Sequence, residues 1–176
     1  MARHVLVAGG AGFIGSLTAQ ALLDRGDRVT ILDNLSTGSV VQIPKGATFV
    51  EAAIGDRLAV AQLLASSSID SCICFAGLIA AGESMAEPGR YFANNVGETT
   101  VLLEELAKAG VAEFVFSSSA AVYGEPLFTP MTETHPTQPT SVYGETKLMI
   151  ERVLSWMARQ GKLRYVALRY FNAAGA

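Results

Sequence analysis

Short apolar runs alternate along the chain with longer stretches whose apolar positions recur every three or four residues, the signature of buried strands separated by amphipathic helices. "HVLVAG" (4–9) predicts a first strand, followed by a helix from Phe13 to Arg25 with Ile14, Leu17 and Ala21 on one stripe and Gly26 at its end. "RVTILD" (28–33) and "ATFVEA" (47–52) predict strands two and three, and a helix follows Asp56. "SCICFA" (71–76) is strand four, Arg90 to Ala109 one long helix ended by Gly110, "EFVFSSS" (113–119) strand five, Ser141 to Gln160 a helix, and "LRYVALRY" (163–170) strand six, running on into a small, flexible tail. Strands that are apolar on both faces and alternate with helices imply an α/β fold. Its core is a doubly wound parallel sheet of about six strands, with every carboxyl end on one ligand-binding rim. Segments 34–46 and 124–140, rich in Gly, Pro, Ser and Thr, interrupt the rhythm as loops.

Composition narrows the reading without redirecting it. A chain of 176 residues, half of them hydrophobic, is sized for one domain spanning 1–176. A net charge of −3 with scattered Lys and Arg offers no basic face for nucleic acid. No apolar run approaches the length that a bilayer crossing or a signal peptide needs, so a cytoplasmic protein without membrane contact is expected. Cys72 and Cys74, two apart on one strand, are badly placed to bond each other and lack companions for a metal site, so buried reduced thiols and no metal are expected.

The chemistry begins at "VAGGAGFIGS". Its glycines parse as Gly10-x-Gly12-x-x-Gly15 or as Gly9-x-x-Gly12-x-x-Gly15; in either form they permit a tight turn, bring backbone amides against a pyrophosphate and seat a helix close to the sheet. Asp33 closes strand two 18 residues beyond Gly15, where a carboxylate accepts from both ribose hydroxyls. That carboxylate would repel a 2′-phosphate, and neither Ala11 nor Asn34 supplies an arginine for one, so NAD is expected rather than NADP. In "SVYGETK", Tyr143 and Lys147 lie four apart on one helical face, and Ser119 lies just past strand five on the same rim. A cation about 6 Å from a phenol at an effective dielectric of about 20 favours the phenolate by about 2.8 kcal/mol, which makes the trio a candidate proton-transfer site.

With these residues in place, the chain resembles the extended short-chain dehydrogenases/reductases, the NAD-dependent epimerase/dehydratase family, and within it the UDP-glucose 4-epimerase branch. The resemblance rests on "GGAGFIG", "LDNLSTG", "GDR", "FAG", "GES", "NNV", "FSSSAAVYG", "YGETK" and "LRYFN", spread over the whole chain. It implies Gly9, Gly12, Phe13, Ile14 and Gly15 at the pyrophosphate; Asp33, Asn34, Ser36, Thr37 and Gly38 around the adenosine ribose; and Asp56 and Arg57 flanking adenine. It further implies Phe75, Ala76 and Gly77 along the cofactor, Asn94 supporting it, Tyr170 and Phe171 near the nicotinamide, and Asn172 on the nucleotide sugar. Ser119, Tyr143 and Lys147 match the catalytic serine, tyrosine and lysine. In that mechanism the tyrosine takes the proton of the sugar 4-hydroxyl while hydride passes from C4 to NAD+, and the 4-keto sugar turns over before the hydride returns.

Two departures stand out. Ile79 in "FAGLIA" replaces a lysine common in 4-epimerases, removing one cationic contact to the cofactor. Family members also continue well over a hundred residues beyond "FN" with a carboxyl-terminal substrate domain, so residues 1–176 are expected to be the cofactor domain without it. That leaves open a dinucleotide-binding module with no turnover of its own. A reductase or dehydratase of the same family is a third reading, although dehydratases commonly carry an acidic pair where Ala120 and Ala121 follow the serine. The resemblance implies a UDP-hexose as substrate. It also implies a homodimer through the helices at 90–109 and 141–160, whose Leu102, Leu103 and Leu106 and Met149, Val153, Trp156 and Met157 extend beyond one stripe.

Overall fold

A computed structural model describes residues 2–173; the end of the expected tail, 174–176, lies outside the described residues. At its centre six parallel strands run in the order β3-β2-β1-β4-β5-β6. They are β1 (His4–Ala8), β2 (Arg28–Asp33), β3 (Thr48–Glu51), β4 (Ser71–Cys74), β5 (Glu113–Ser119) and β6 (Arg164–Tyr170). The winding direction reverses between β1 and β4, which opens a crevice beyond their carboxyl ends. This is the doubly wound sheet that the alternation predicts.

The two faces of the sheet are covered unequally. On one face Leu6, Ala8, Cys72, Cys74, Phe114 and Phe116 pack with residues of α2 (Arg57–Ser66), α5 (Thr99–Lys108) and α6 (Val142–Arg159) in the larger core. On the other, Val5, Val7, Val29 and Ile31 pack with Ala19 and Leu22 of α1 (Phe13–Asp24). That helix reaches only the β1–β2 side, and on β6 the same face leaves Val166 52% and Leu168 39% exposed. Both cysteines are free and buried, and burial pushes the Cys72 thiol well up and the Cys74 thiol up to about 11. No helix among the described residues is long and apolar enough to cross a membrane.

Three expectations need correction. The stripe that α1 buries is Gly15, Ala19 and Leu22 rather than Ile14, Leu17 and Ala21; Leu17 is half exposed. Small residues win because the helix start lies against the glycine turn, where a larger side chain has no room. The long helix over 90–109 is three pieces: α4 (Pro88–Tyr91), a π-helical stretch over Phe92–Glu98, and α5. Asn95 gives the reason. Its Oδ1 accepts from Leu78 N (2.8 Å), and its Nδ2 donates to Leu78 O (2.9 Å) and Thr146 Oγ1 (3.1 Å), and the widened turn lets it reach all three. Leu102, Leu103 and Leu106 are not spare apolar surface, since all three are buried under the sheet, a gain of about 2 kcal/mol each.

Periodicity also missed a short helix, α3 (Ala81–Ala86), and 3-10 turns at Val40–Gln42 and Ala120–Val122. Loop 124–140 is pinned by His135, which is buried edge-on against Tyr123 and accepts from Leu127 N through Nε2 (3.1 Å).

Candidate functional site

The rim above the crevice holds a cavity of about 910 Å³ that runs from Leu32 and Asp33 to Ser119 and Tyr170. Its floor is the turn between β1 and α1. Gly9 adopts φ +78°, and a Cβ there would lie 2.5 Å from Ala76 N; a Cβ at Gly15 would lie 2.2 Å from Gly9 O. Both contacts are impossible, so these glycines are required by packing alone. Gly12 is different: its added Cβ would make only ordinary contact, at 3.5 Å, so the lack of a side chain there serves the open cavity it lines. Gly10 faces Ile31 in the core and does not line the cavity. The structure therefore selects the Gly9-x-x-Gly12-x-x-Gly15 parse.

Asp33 sits at the end of β2, 8% exposed. Its Oδ2 accepts from Ala11 N (2.9 Å) and its Oδ1 from Leu35 N (2.8 Å), so two backbone amides hold the carboxylate in place. Each oxygen keeps a lone pair for a further donor. A carboxylate at this end, a side-chain-free floor and a helix N-terminus with no acidic residue in its first turn together fit an adenine dinucleotide.

At the other end, Ser141 caps α6 by accepting from Gly144 N (3.1 Å), and Tyr143 N donates to the buried Ser84 Oγ (3.0 Å), which fixes the first turn of the helix. Four residues on, Lys147 is 3% exposed. Its Nζ donates to Ser117 O (2.8 Å), lies 4.9 Å from the Phe116 ring centroid and 5.8 Å from that of Tyr143. Burial lowers its pKa to about 8, and Cys74 offsets a little of that shift. Ser119, aligned with Tyr170 across the β5–β6 register, accepts from Ala121 N (3.1 Å) and keeps its hydroxyl proton to donate. Behind it, Ser118 and Arg169 both bond Glu151, the arginine through two nitrogens (3.0 and 2.7 Å), which ties β5, β6 and α6 together.

The sequence-predicted residues line this one cavity with three exceptions: Gly38, Asp56 and Arg57. Gly38 packs on the Ala11 backbone, Asp56 caps α2 by accepting from Ala59 N (3.1 Å), and Arg57 is paired with Glu104 (2.6 Å) and Glu105. Sequence reasoning missed Asn95, Ser84, Tyr91 and Glu98. The first two stand in quoted motifs, "NNV" and "GES", but no local pattern reveals a polar side chain that acts across the fold. Tyr91, fully buried, donates to Glu83 Oε2 (2.7 Å) and accepts from Ala80 N (3.1 Å), closing the cavity wall beside exposed Ile79.

Residues 5–176 match the model of the NAD dependent epimerase/dehydratase family. The chain belongs to this family. A UDP-glucose 4-epimerase of Lacticaseibacillus casei is 44% identical over 98% of the chain and 52% of its own length. Among solved structures, UDP-glucose 4-epimerase from Brucella ovis in complex with NAD superposes with a TM-score of 0.96 at 42% identity, covering 99% of the chain and 54% of that protein. The Thermotoga maritima UDP-glucose 4-epimerase with UDP-glucose superposes at 0.94 with 36% identity, over 98% of the chain and 56% of that protein. The chain thus spans about half the length of the family members it matches.

Proposed function

We propose that this family member binds NAD and acts in the interconversion of UDP-glucose and UDP-galactose by epimerisation at sugar C4. The observation that carries the reading is the shared cavity: the carboxylate of Asp33 and the glycine floor occupy one end, and the buried Lys147 amine, Tyr143 and Ser119 the other. Bound NAD supplies a hydride acceptor and donor at the sugar carbon. The chain's own residues supply the rest. Asp33 accepts from the adenosine ribose hydroxyls, with Asn34, Ser36 and Thr37 around them, and Gly9, Gly12 and Gly15 seat the pyrophosphate. Phe75, Ala76 and Gly77 line the dinucleotide, with Asn94, Tyr170 and Phe171 toward its nicotinamide end. Tyr143 takes the proton of the sugar 4-hydroxyl and returns it; Lys147, held on Ser117 O, favours the phenolate; and Ser119 donates to the same sugar oxygen. Asn172, which lines the cavity, contacts the nucleotide sugar.

A second reading, a dinucleotide-holding module without turnover, draws support from the open face of β6, where Val166, Leu168 and the following Phe171 are exposed beside the nicotinamide end. A homodimer through the 90–109 and 141–160 helices would rest on Met149 and Trp156, the latter 63% exposed, because Val153 and Met157 pack onto the core.

Two measurements separate these readings. Isothermal titration with NAD should give saturable binding under either, and a wild type that binds no NAD overturns both. Interconversion of UDP-glucose and UDP-galactose should occur only under the first. Tyr143→Phe should keep NAD affinity within about threefold and abolish turnover; loss of NAD binding in that variant would remove the tyrosine from the role given to it.

A further inference from the structure

Within the proposed reading of the site, we infer that the ion pair of Glu151 and Arg169 is a positioning device: with Ser118 it fixes where α6 lies along β5 and β6, and so sets Tyr143 and Lys147 against Ser119. The strand register prepares the contact. Ser118 and Arg169 are partners across β5 and β6, one residue before Ser119 and Tyr170, which line the cavity. Glu151 bridges the two strands: its Oε1 accepts from Ser118 Oγ and from Arg169 Nε (3.0 Å), and its Oε2 accepts from Arg169 Nη2 (2.7 Å). The guanidinium also donates from Nη1 to Glu133 O (3.3 Å) and lies 4.8 Å from the Tyr123 ring centroid, so it is committed to the 124–140 loop as well as to the helix. On α6, Glu151 follows Lys147 by four residues and Tyr143 by eight, which places all three along one face.

Stability does not account for the pair. The Glu151 side chain is 10% exposed and that of Arg169 22%, and desolvating two charges cancels most of their attraction, so apolar side chains of like volume would hold the helix as well. A directed contact does what apolar packing cannot: the buried Leu148, Ile150 and Leu154 tolerate a small slide or rotation of α6, whereas a two-pronged guanidinium–carboxylate contact does not. Lys147 on Ser117 O is one anchor, about which the helix can turn; Glu151 on Ser118 and Arg169 is a second, and two anchors fix a line. Little movement is needed to matter. A Cβ at Gly144 would lie 2.5 Å from Ala121 O, so the first turn of α6 rests on the turn that follows Ser119, and any slide moves Tyr143 relative to that hydroxyl.

The test replaces the cluster by apolar groups, Ser118→Ala, Glu151→Leu and Arg169→Met together, and compares that variant with Glu151→Gln. Two signals are followed beside the urea midpoints. The first rests on the NAD reading: the fluorescence enhancement of bound NADH, whose emitting nicotinamide lies toward Tyr170 in that reading. The second does not: the rise in stability above about pH 7 carried by the Lys147 amine, whose folded-state pKa of about 8 lies below the ordinary 10.5, read against Lys147→Met in the same background. The triple variant should match or exceed the wild-type midpoint and keep NADH affinity within about threefold, yet lose about three-quarters of the enhancement and about half of the alkaline rise. Glu151→Gln keeps an acceptor for Ser118 and Arg169 but leaves the guanidinium charge unpaired, so it should unfold at lower urea and hold both signals within about a fifth of wild type. If the triple variant keeps either signal, or if the signals fall in step with the midpoint in either variant, the pair only holds the fold together and the proposal fails. A wild type that binds no NADH removes the NAD reading, and the alkaline rise alone then decides the positioning.

Discussion

The two ends of the cavity are built by different means. Around β1, β2 and α1 the sheet is covered on both faces, and the site is shaped by backbone: Gly9 against Ala76, Gly15 against Gly9, and Ala11 N on Asp33. Around β5 and β6 only one face is covered, and the site is shaped by side chains reaching between elements: Lys147 to Ser117 O, Ser84 to Tyr143 N, Arg169 to Glu151. Backbone packing has no partial state, whereas a side-chain contact can be lost singly. Changes at the first end should therefore remove binding and fold together, and changes at the second should remove function while the domain stands.

The largest effect is expected from Gly15→Val. A side chain there meets Gly9 O at 2.2 Å, so α1 must lift from the turn, costing about 3 kcal/mol in urea unfolding and eliminating NAD binding. Retained NAD affinity would break the contrast at its firm end.

Lys147→Met probes the other end. The folded-state pKa of about 8 lies below the ordinary 10.5, so between these values the folded chain binds fewer protons than the unfolded one. Wild-type stability should then rise as pH increases across that window, and the burial cost should be present in full below it. The expected rise is roughly 3 kcal/mol between pH 7 and 11 relative to Lys147→Met, read from paired urea midpoints. Parallel curves for the two proteins would show that the amine is not desolvated.

The smallest effect belongs to Ser84→Ala, which leaves Tyr143 N without its acceptor. About 1 kcal/mol of stability should be lost, with NAD affinity unchanged and any turnover reduced. A loss of NAD binding here would mean that the two ends are mechanically coupled.

Much of this was legible in the chain. Apolar runs and their spacing foretold all six strands and the major helices, because a strand buried on both faces needs continuous apolar sequence. "GGAGFIG", Asp33 and "YGETK" marked both ends of the cavity, because tight turns and i, i+4 pairs are local constraints. The stripe of α1 was misread for a physical reason: hydropathy favours Leu17, but closeness to the turn favours Gly15 and Ala19. The break in the 90–109 helix was invisible because it serves Leu78 and Thr146, both distant in sequence.

The sequence by itself determined the order of elements, the doubly wound class and the membership of Tyr143, Lys147 and Asp33 in one rim, since each follows from residues a few positions apart. Only the tertiary structure decided which glycines form the floor, that Leu102, Leu103 and Leu106 are core, that Asp56 caps α2, and that Arg57 pairs with Glu104 and Glu105. Those outcomes depend on which surfaces meet when helices settle on the sheet, and no stretch of chain contains that information alone.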